Sequence, residues 1–216
     1  MHIFHKNTKV CFSDIGKGSA VVLLHGFLEN SAMWDAIASK LSKKYRVVCI
    51  DLLGHGQTEN HGYIHAMEDQ ATMVKAVLNS LKLRKYILVG HSMGGYVGLS
   101  FAKLFPNNMK GICLMNSTAL PDSDEKKINR DRAILAVKQN HKTFVRVAIP
   151  MLFSEKNRAI FTSEIKEITN EALKITPQGI IAALEGMKIR EDNTSIYKSA
   201  NFPIQLIIGK QDPALD

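Results

Sequence analysis

Cysteine is scarce in this chain of 216 residues: Cys11, Cys49 and Cys113 are the only three, an odd number at wide spacings. Such usage suits free thiols better than a disulfide framework. Cys49 and Cys113 sit inside apolar runs, where a free thiol behaves as a small buried hydrophobe, so a reducing, cytoplasmic setting is expected. No apolar stretch approaches the roughly 20 residues needed to cross a bilayer. The first residues lack the basic-then-apolar order of a signal peptide, and a membrane is not an expected partner. Acidic residues are outnumbered, 20 against 28 Lys and Arg, which gives a formal charge of +8 and a pI near 9.4. That excess is scattered, with no basic run interleaved with aromatics and no recognition motif, so nucleic acid is not expected either. The eight histidines (His2, His5, His25, His55, His61, His65, His91, His141) show no metal-ligand spacing. His61 and His65 are four apart, but Gly62 argues against a shared helix, and no metal is expected. Internal repeats and low-complexity tracts are absent.

What is present is enough for one substantial core, with 45% hydrophobic residues in a single-domain length. Residues 2–14 read as two short strands of a hairpin around Lys6, Asn7 and Thr8. The run VVLL at 21–24 is wholly apolar, as in a strand buried on both faces of a parallel sheet. It leads into His25-Gly26-Phe27-Leu28 and an amphipathic helix over 31–41. RVVCI at 46–50 is the next buried strand, followed by the glycine-punctuated loop beginning at Asp51, which includes Gly54, His55 and Gly56. Apolar residues at helical spacing (Met67, Ala71, Val74, Val77, Leu78, Leu81) predict a helix over 66–82. YILV at 86–89 is a further strand, followed by a helix that stops before Pro106, and 110–115 is another strand. Strands alternating with helices imply right-handed crossovers and a parallel sheet covered on both faces. The alternation breaks after Asn116. Helices are predicted over 124–139, 143–153 (disturbed at Pro150), 163–175 and 177–188, before a strand resumes at 203–208.

The chemistry gathers at Gly90-His91-Ser92-Met93-Gly94. This is a G-x-S-x-G pattern between a strand and a helix, the nucleophile elbow. Its glycines leave room for a turn too tight for side chains, which forces the serine into a strained conformation. The Ser92 hydroxyl is then exposed at a helix N-terminus, where backbone N–H groups favour a developing negative charge.

With these motifs in order, the sequence resembles the α/β-hydrolase superfamily, in its esterase-like branch with a helical cap. The supports are His25-Gly26-Phe27 after the third strand, Asp51 with Gly54 and Gly56 after the fourth, the elbow after the fifth, and Gly209 with Asp212 after the seventh. The resemblance implies an α/β fold with a mostly parallel, doubly wound sheet and a helical lid inserted between strands 6 and 7. It divides the chain into core at 1–116, cap at 117–202, and core again at 203–216 with strand 7 and the acid loop. It implies Ser92 as nucleophile, the backbone N–H groups of Phe27 and Met93 as oxyanion hole, and Asp212 as the acid that orients a catalytic histidine. Asp216 is a second candidate for the acid. The apolar cap residues Phe144, Val147, Met151 and Phe153 are candidates for an acyl pocket.

One departure is plain. The superfamily order is Ser, acid, His, yet all eight histidines precede Asp212. The family's last helix and eighth strand are also missing. The expectation is therefore a chain that continues by about 35 to 45 residues and carries the base there. His91 occupies the variable elbow position, with its ring expected to point away from the hydroxyl. His25 is expected to tie loops together, His55 to be a loop residue, and Asp51 to fix its loop by hydrogen bonds.

The implied reaction is hydrolysis of a small carboxylic ester, or a related lactone or thioester, through an acyl-enzyme and without any cofactor. Dehalogenases and epoxide hydrolases of the superfamily carry aspartate at the elbow, so Ser92 disfavours both. Perhydrolase, C–C hydrolase and lyase activities keep the serine and stay open. So does a different class, a non-catalytic ligand-binding pseudo-enzyme. The expected partner is a small-molecule ester, and the expected state a monomer or homodimer.

Overall fold

The computed structural model describes residues 1–210 and 212. Seven strands form one sheet in the order β1-β2-β4-β3-β5-β6-β7. The hairpin strands β1 (His2–His5) and β2 (Thr8–Ile15) run antiparallel, and β2 joins β4 (Arg46–Ile50) antiparallel. All other neighbours are parallel: β3 (Ala20–Leu24) with β4 and β5 (Tyr86–His91), then β6 (Met109–Met115) with β5 and β7 (Ile204–Ile207).

The period-2 geometry of strands explains why the VVLL and RVVCI runs are apolar throughout. Val22, Leu24, Val48 and Ile50 point to the face covered by α2 (Met67–Ser80) and α3 (Met93–Leu104), where they join Met67, Val74, Val97 and Phe101 in the main core. Their neighbours Val21, Leu23, Val47 and Cys49 point to the other face and pack on Trp34 and Ala38. Trp34 closes a 3-10 turn (Ser31–Trp34) that leads into α1 (Asp35–Leu41), so the helix expected over 31–41 begins with a tighter turn.

Between β6 and β7 lie only helices. α4 (Asp124–Met151) covers both helices expected at 124–139 and 143–153, and breaks where they were divided: Asn140 leaves the helical region (φ −160°, ψ 93°). The Asn140 side-chain oxygen accepts from the Thr143 N–H at 3.0 Å and so caps the second segment. Pro150 lies one residue before the helix ends. α6 (Thr162–Ala172) and α7 (Pro177–Lys188) follow the expected spans. Two short helices were not anticipated, α5 (Glu155–Ile160) and α8 (Ile196–Ser199). Among the described residues no helix is long and apolar enough to cross a membrane.

Candidate active site

β5 ends at His91, and α3 begins at Met93, leaving Ser92 alone in the turn with φ 48° and ψ −115°. For a non-glycine residue that conformation is strained, of order 1–3 kcal/mol, and persists only where its surroundings over-determine it. Here they do. The Ser92 N–H donates to the Met115 carbonyl at 2.9 Å, and the Ser92 carbonyl accepts from the Gly95 N–H and the Ser117 hydroxyl, both at 2.9 Å. A Cβ on Gly90 would strike the backbone of Gly94 and Gly95, and one on Gly94 would strike the Leu24 carbonyl. The elbow thus has the form expected from the pattern. Ser92 is half-buried, and Met93, whose N–H opens the helix, is fully buried.

Phe27 lies in a turn that closes Gly26 on Glu29, with the Glu29 N–H donating to the Gly26 carbonyl at 3.3 Å. Leu28 holds a left-handed φ of 64° in this turn. Its side chain is buried, and its N–H donates to His55 Nε2 at 3.3 Å. His25 behaves as anticipated: its Nδ1 bonds the Gly26 carbonyl at 2.8 Å, and its Nε2 accepts from the Leu52 N–H at 2.9 Å. His55 is similarly engaged at both nitrogens, with Nδ1 on the Leu53 carbonyl at 3.0 Å. Burial lowers the pKa of His25 and brings that of His55 down to about 3, so both rings are neutral near pH 7. Asp51 fixes its loop as expected, accepting from the N–H groups of Ser31 (2.8 Å) and Gln57 (2.9 Å).

His91 turns to Glu29, its Nδ1 lying 2.9 Å from Oε2. Burial alone would lower the His91 pKa, but the Glu29 hydrogen bond and the charges of Glu29 and Asp212 outweigh it and raise it. Asp212 accepts from the side-chain amide of Asn116, a residue at φ 48° just beyond β6. Asp216 lies outside the described residues. Sequence reasoning missed Glu29 and Asn116. Glu29 stands three residues after Gly26, the spacing of a turn-closing carboxylate, which was the only local signal.

The acyl-pocket candidates divide. Phe144 and Phe153 are half-buried against the main core, whereas Val147 and Met151 are 61% and 56% exposed. A cavity of about 430 Å³ opens beside the end of β6, lined by Ser117, Thr118, Asp122, Tyr197 and Leu206 among others. None of the four pocket candidates lines it.

Residues 19–150 match the family described as the alpha/beta hydrolase fold. The chain belongs to that family. A pimeloyl-[acyl-carrier protein] methyl ester esterase from Pseudoalteromonas atlantica is 31% identical over 208 residues, covering 92% of this chain and 78% of the relative. A thermophilic esterase from Thermogutta terrifontis superposes with a TM-score of 0.89 at 31% identity, over 94% of this chain and 75% of that one. An uncharacterized protein of Mycobacterium bovis matches at 33% identity over 106 residues, 49% of this chain, so that the chain spans only 31% of that relative's length.

Proposed function

We propose that this chain carries the nucleophile of a serine hydrolase that cleaves a small carboxylic ester. The observation that carries this reading is Ser92 itself. A serine held at φ 48° between β5 and the first N–H groups of α3 has its hydroxyl at a turn that only a dedicated constellation of glycines permits. Attack by the Ser92 oxygen on the ester carbonyl puts negative charge on the carbonyl oxygen. The Met93 N–H at the helix N-terminus and the Phe27 N–H of the facing turn are the donors for it. Collapse of that intermediate expels the alcohol and leaves an acyl-serine, which water then hydrolyses to the acid. The relatives support this reading, since esterases of similar sequence cover most of the chain.

We take the base, as the resemblance implies, to be a histidine oriented by Asp212; three of the described histidine rings are engaged elsewhere. His25 and His55 are bonded at both nitrogens, and His91 is held by Glu29. Phe144, Val147, Met151 and Phe153 remain the proposed wall for the acyl group, with the helices between β6 and β7 acting as its cap. We also propose a small-molecule ester as the partner, neither nucleic acid nor membrane, a cytoplasmic setting and a monomeric or homodimeric state.

The test is hydrolysis of short p-nitrophenyl esters by the purified full-length protein, which supplies the proposed base, and its Ser92→Ala variant. The variant is expected to lose turnover by on the order of 10⁴ to 10⁶ while keeping its fold. More than a tenth of the wild-type rate in the variant rules Ser92 out as nucleophile. Ester binding without any Ser92-dependent turnover identifies a pseudo-enzyme instead.

A further inference from the structure

The turn that carries the Phe27 N–H is strained, and something must hold it. Leu28 is a bulky γ-branched residue at φ 64°, a region that L-residues other than Gly, Asn and Asp enter at a cost. On one side it is held by the buried Leu28 side chain and by the Leu28 N–H on His55. On the other side stands a single oxygen, Glu29 Oε2. It accepts from the Gly26 N–H at 2.6 Å and lies 2.9 Å from His91 Nδ1. The Glu29 N–H returns to the Gly26 carbonyl, so residues 26 and 29 are bonded in both directions. Gly26 has no side chain for a related reason: a Cβ there would come within 2.6 Å of Glu29 Oε2 and 2.8 Å of His91 Nδ1. One carboxylate therefore joins the turn after β3 to the elbow after β5, although the partners are 62 residues apart in sequence.

We propose that Glu29 is a positioning residue of this site, its carboxylate bridging the Gly26 N–H and the His91 ring to lock the Phe27 N–H at the oxyanion position beside Ser92. The effect on rate rests on the ester-hydrolysis reading, and the effect on the turn does not. Oxyanion donors work only within a few tenths of an ångström of their ideal place, and a turn freed on one side can relax Leu28 out of its left-handed conformation. Oxyanion donors act on charge that develops in the transition state, so the loss belongs in kcat.

The experiment compares the full-length wild-type protein with its Glu29→Ala, Glu29→Met and Glu29→Gln variants. Met matches the length of glutamate without an acceptor oxygen, and Gln keeps one that can accept from both the Gly26 N–H and a neutral His91 Nδ1–H. Two quantities are read: kcat and KM on p-nitrophenyl acetate, and hydrogen exchange of the amides at 26–28. In Ala and Met, kcat is expected to fall by on the order of 10², with KM changed less than about three-fold. Amide exchange at 26–28 should speed up by at least about tenfold. Gln should restore kcat to within about three-fold and protection to the wild-type level. If Ala fails to fold, Met carries the comparison. An unchanged kcat in the acceptor-less variants overturns the proposal, and so does equal damage in Met and Gln. If wild type itself shows no Ser92-dependent turnover, the hydrolase reading fails and the exchange data alone decide the clamp: unchanged protection in the acceptor-less variants overturns it, and selective loss with rescue by Gln upholds it.

Discussion

The guanidinium of Arg190, just after α7, lies 4.1 Å from the centre of the Tyr96 ring on the elbow helix α3. This contact joins the helical insertion to the element that begins at Ser92. Arg190 also donates to the fully buried Asp122 carboxylate through Nη1 and to the Leu120 carbonyl through Nε at 3.1 Å. Arg130 of α4 reaches the other Asp122 oxygen at 3.0 Å. Burial alone would raise the Asp122 pKa, but the two guanidinium groups more than offset it and hold the carboxyl below its ordinary range.

Removing Arg190 should therefore cost more than its cation–π contact. Arg190→Met fills similar space yet leaves Asp122 with one partner in a dry site. Breaking a buried pair typically costs about 3 to 5 kcal/mol, and the surviving Arg130 puts the expected loss near 3 kcal/mol. Urea unfolding measures it. A loss below about 1 kcal/mol would show that Asp122 is adequately served by Arg130 alone.

Stability should also bend with pH in a stated direction. His55 and His65 are buried with pKa values brought down to about 3 and about 4, and His25 is lowered as well. Burial is the main cause in each. A histidine whose folded pKa is depressed is protonated preferentially in the unfolded chain, so stability is full above about pH 6.5 and lost as the pH falls below it. His91 has the opposite sign: its pKa is raised, so its contribution is full below about pH 6.5 and lost as the pH rises through the folded value. Stability is thus expected to peak near neutrality. Between pH 7 and pH 5 His55 and His65 should each remove about 2 kcal/mol, and His25 acts in the same direction. His55→Asn is expected to shrink that pH-dependent loss by this amount, whatever it does to stability at pH 7. Urea titrations at the two pH values give the comparison, and an identical loss in the variant would mean that the His55 pKa is not depressed in the fold.

Much of this architecture is written in local patterns. A strand buried on both faces has no polar residue to spare, so VVLL and RVVCI announce themselves. The elbow is legible because its glycines are needed within five residues of one another. The division between 124–139 and 143–153 anticipated the break in α4, whereas the Asn140 cap behind it is visible only in the structure. The short helices α5 and α8, of 6 and 4 residues, are less than two turns long and leave no readable period. The Glu29–His91 and Asp122–Arg190 pairs span 62 and 68 residues. No spacing rule connects such partners, because the sheet order and the packing of α7 bring them together. A site's reactive residue can thus be read locally, while the groups that hold it in place are fixed only by tertiary structure.

The elbow geometry itself can be tested by comparing two glycines in different surroundings. Gly94 lies in the first turn of α3, and a Cβ there would run into the Leu24 carbonyl of β3. Both partners are backbone, so neither can step aside by changing rotamer. Gly62 has nothing within 4 Å of a Cβ, but its φ of 72° is unfavourable for alanine. The two sites therefore separate collision from conformational strain. Gly62→Ala should cost about 1 kcal/mol, the price of a left-handed alanine in open space. Gly94→Ala should cost about 3 kcal/mol or more, because overpacking against backbone must push α3 away from the sheet. The same displacement carries Ser92 and the Met93 N–H with it, so any ester-hydrolysing activity should fall in Gly94→Ala and stay unchanged in Gly62→Ala. Urea unfolding and the p-nitrophenyl ester assay check both halves. Equal stability losses in the two variants would show that α3 does not approach β3 as closely as the Leu24 carbonyl contact requires.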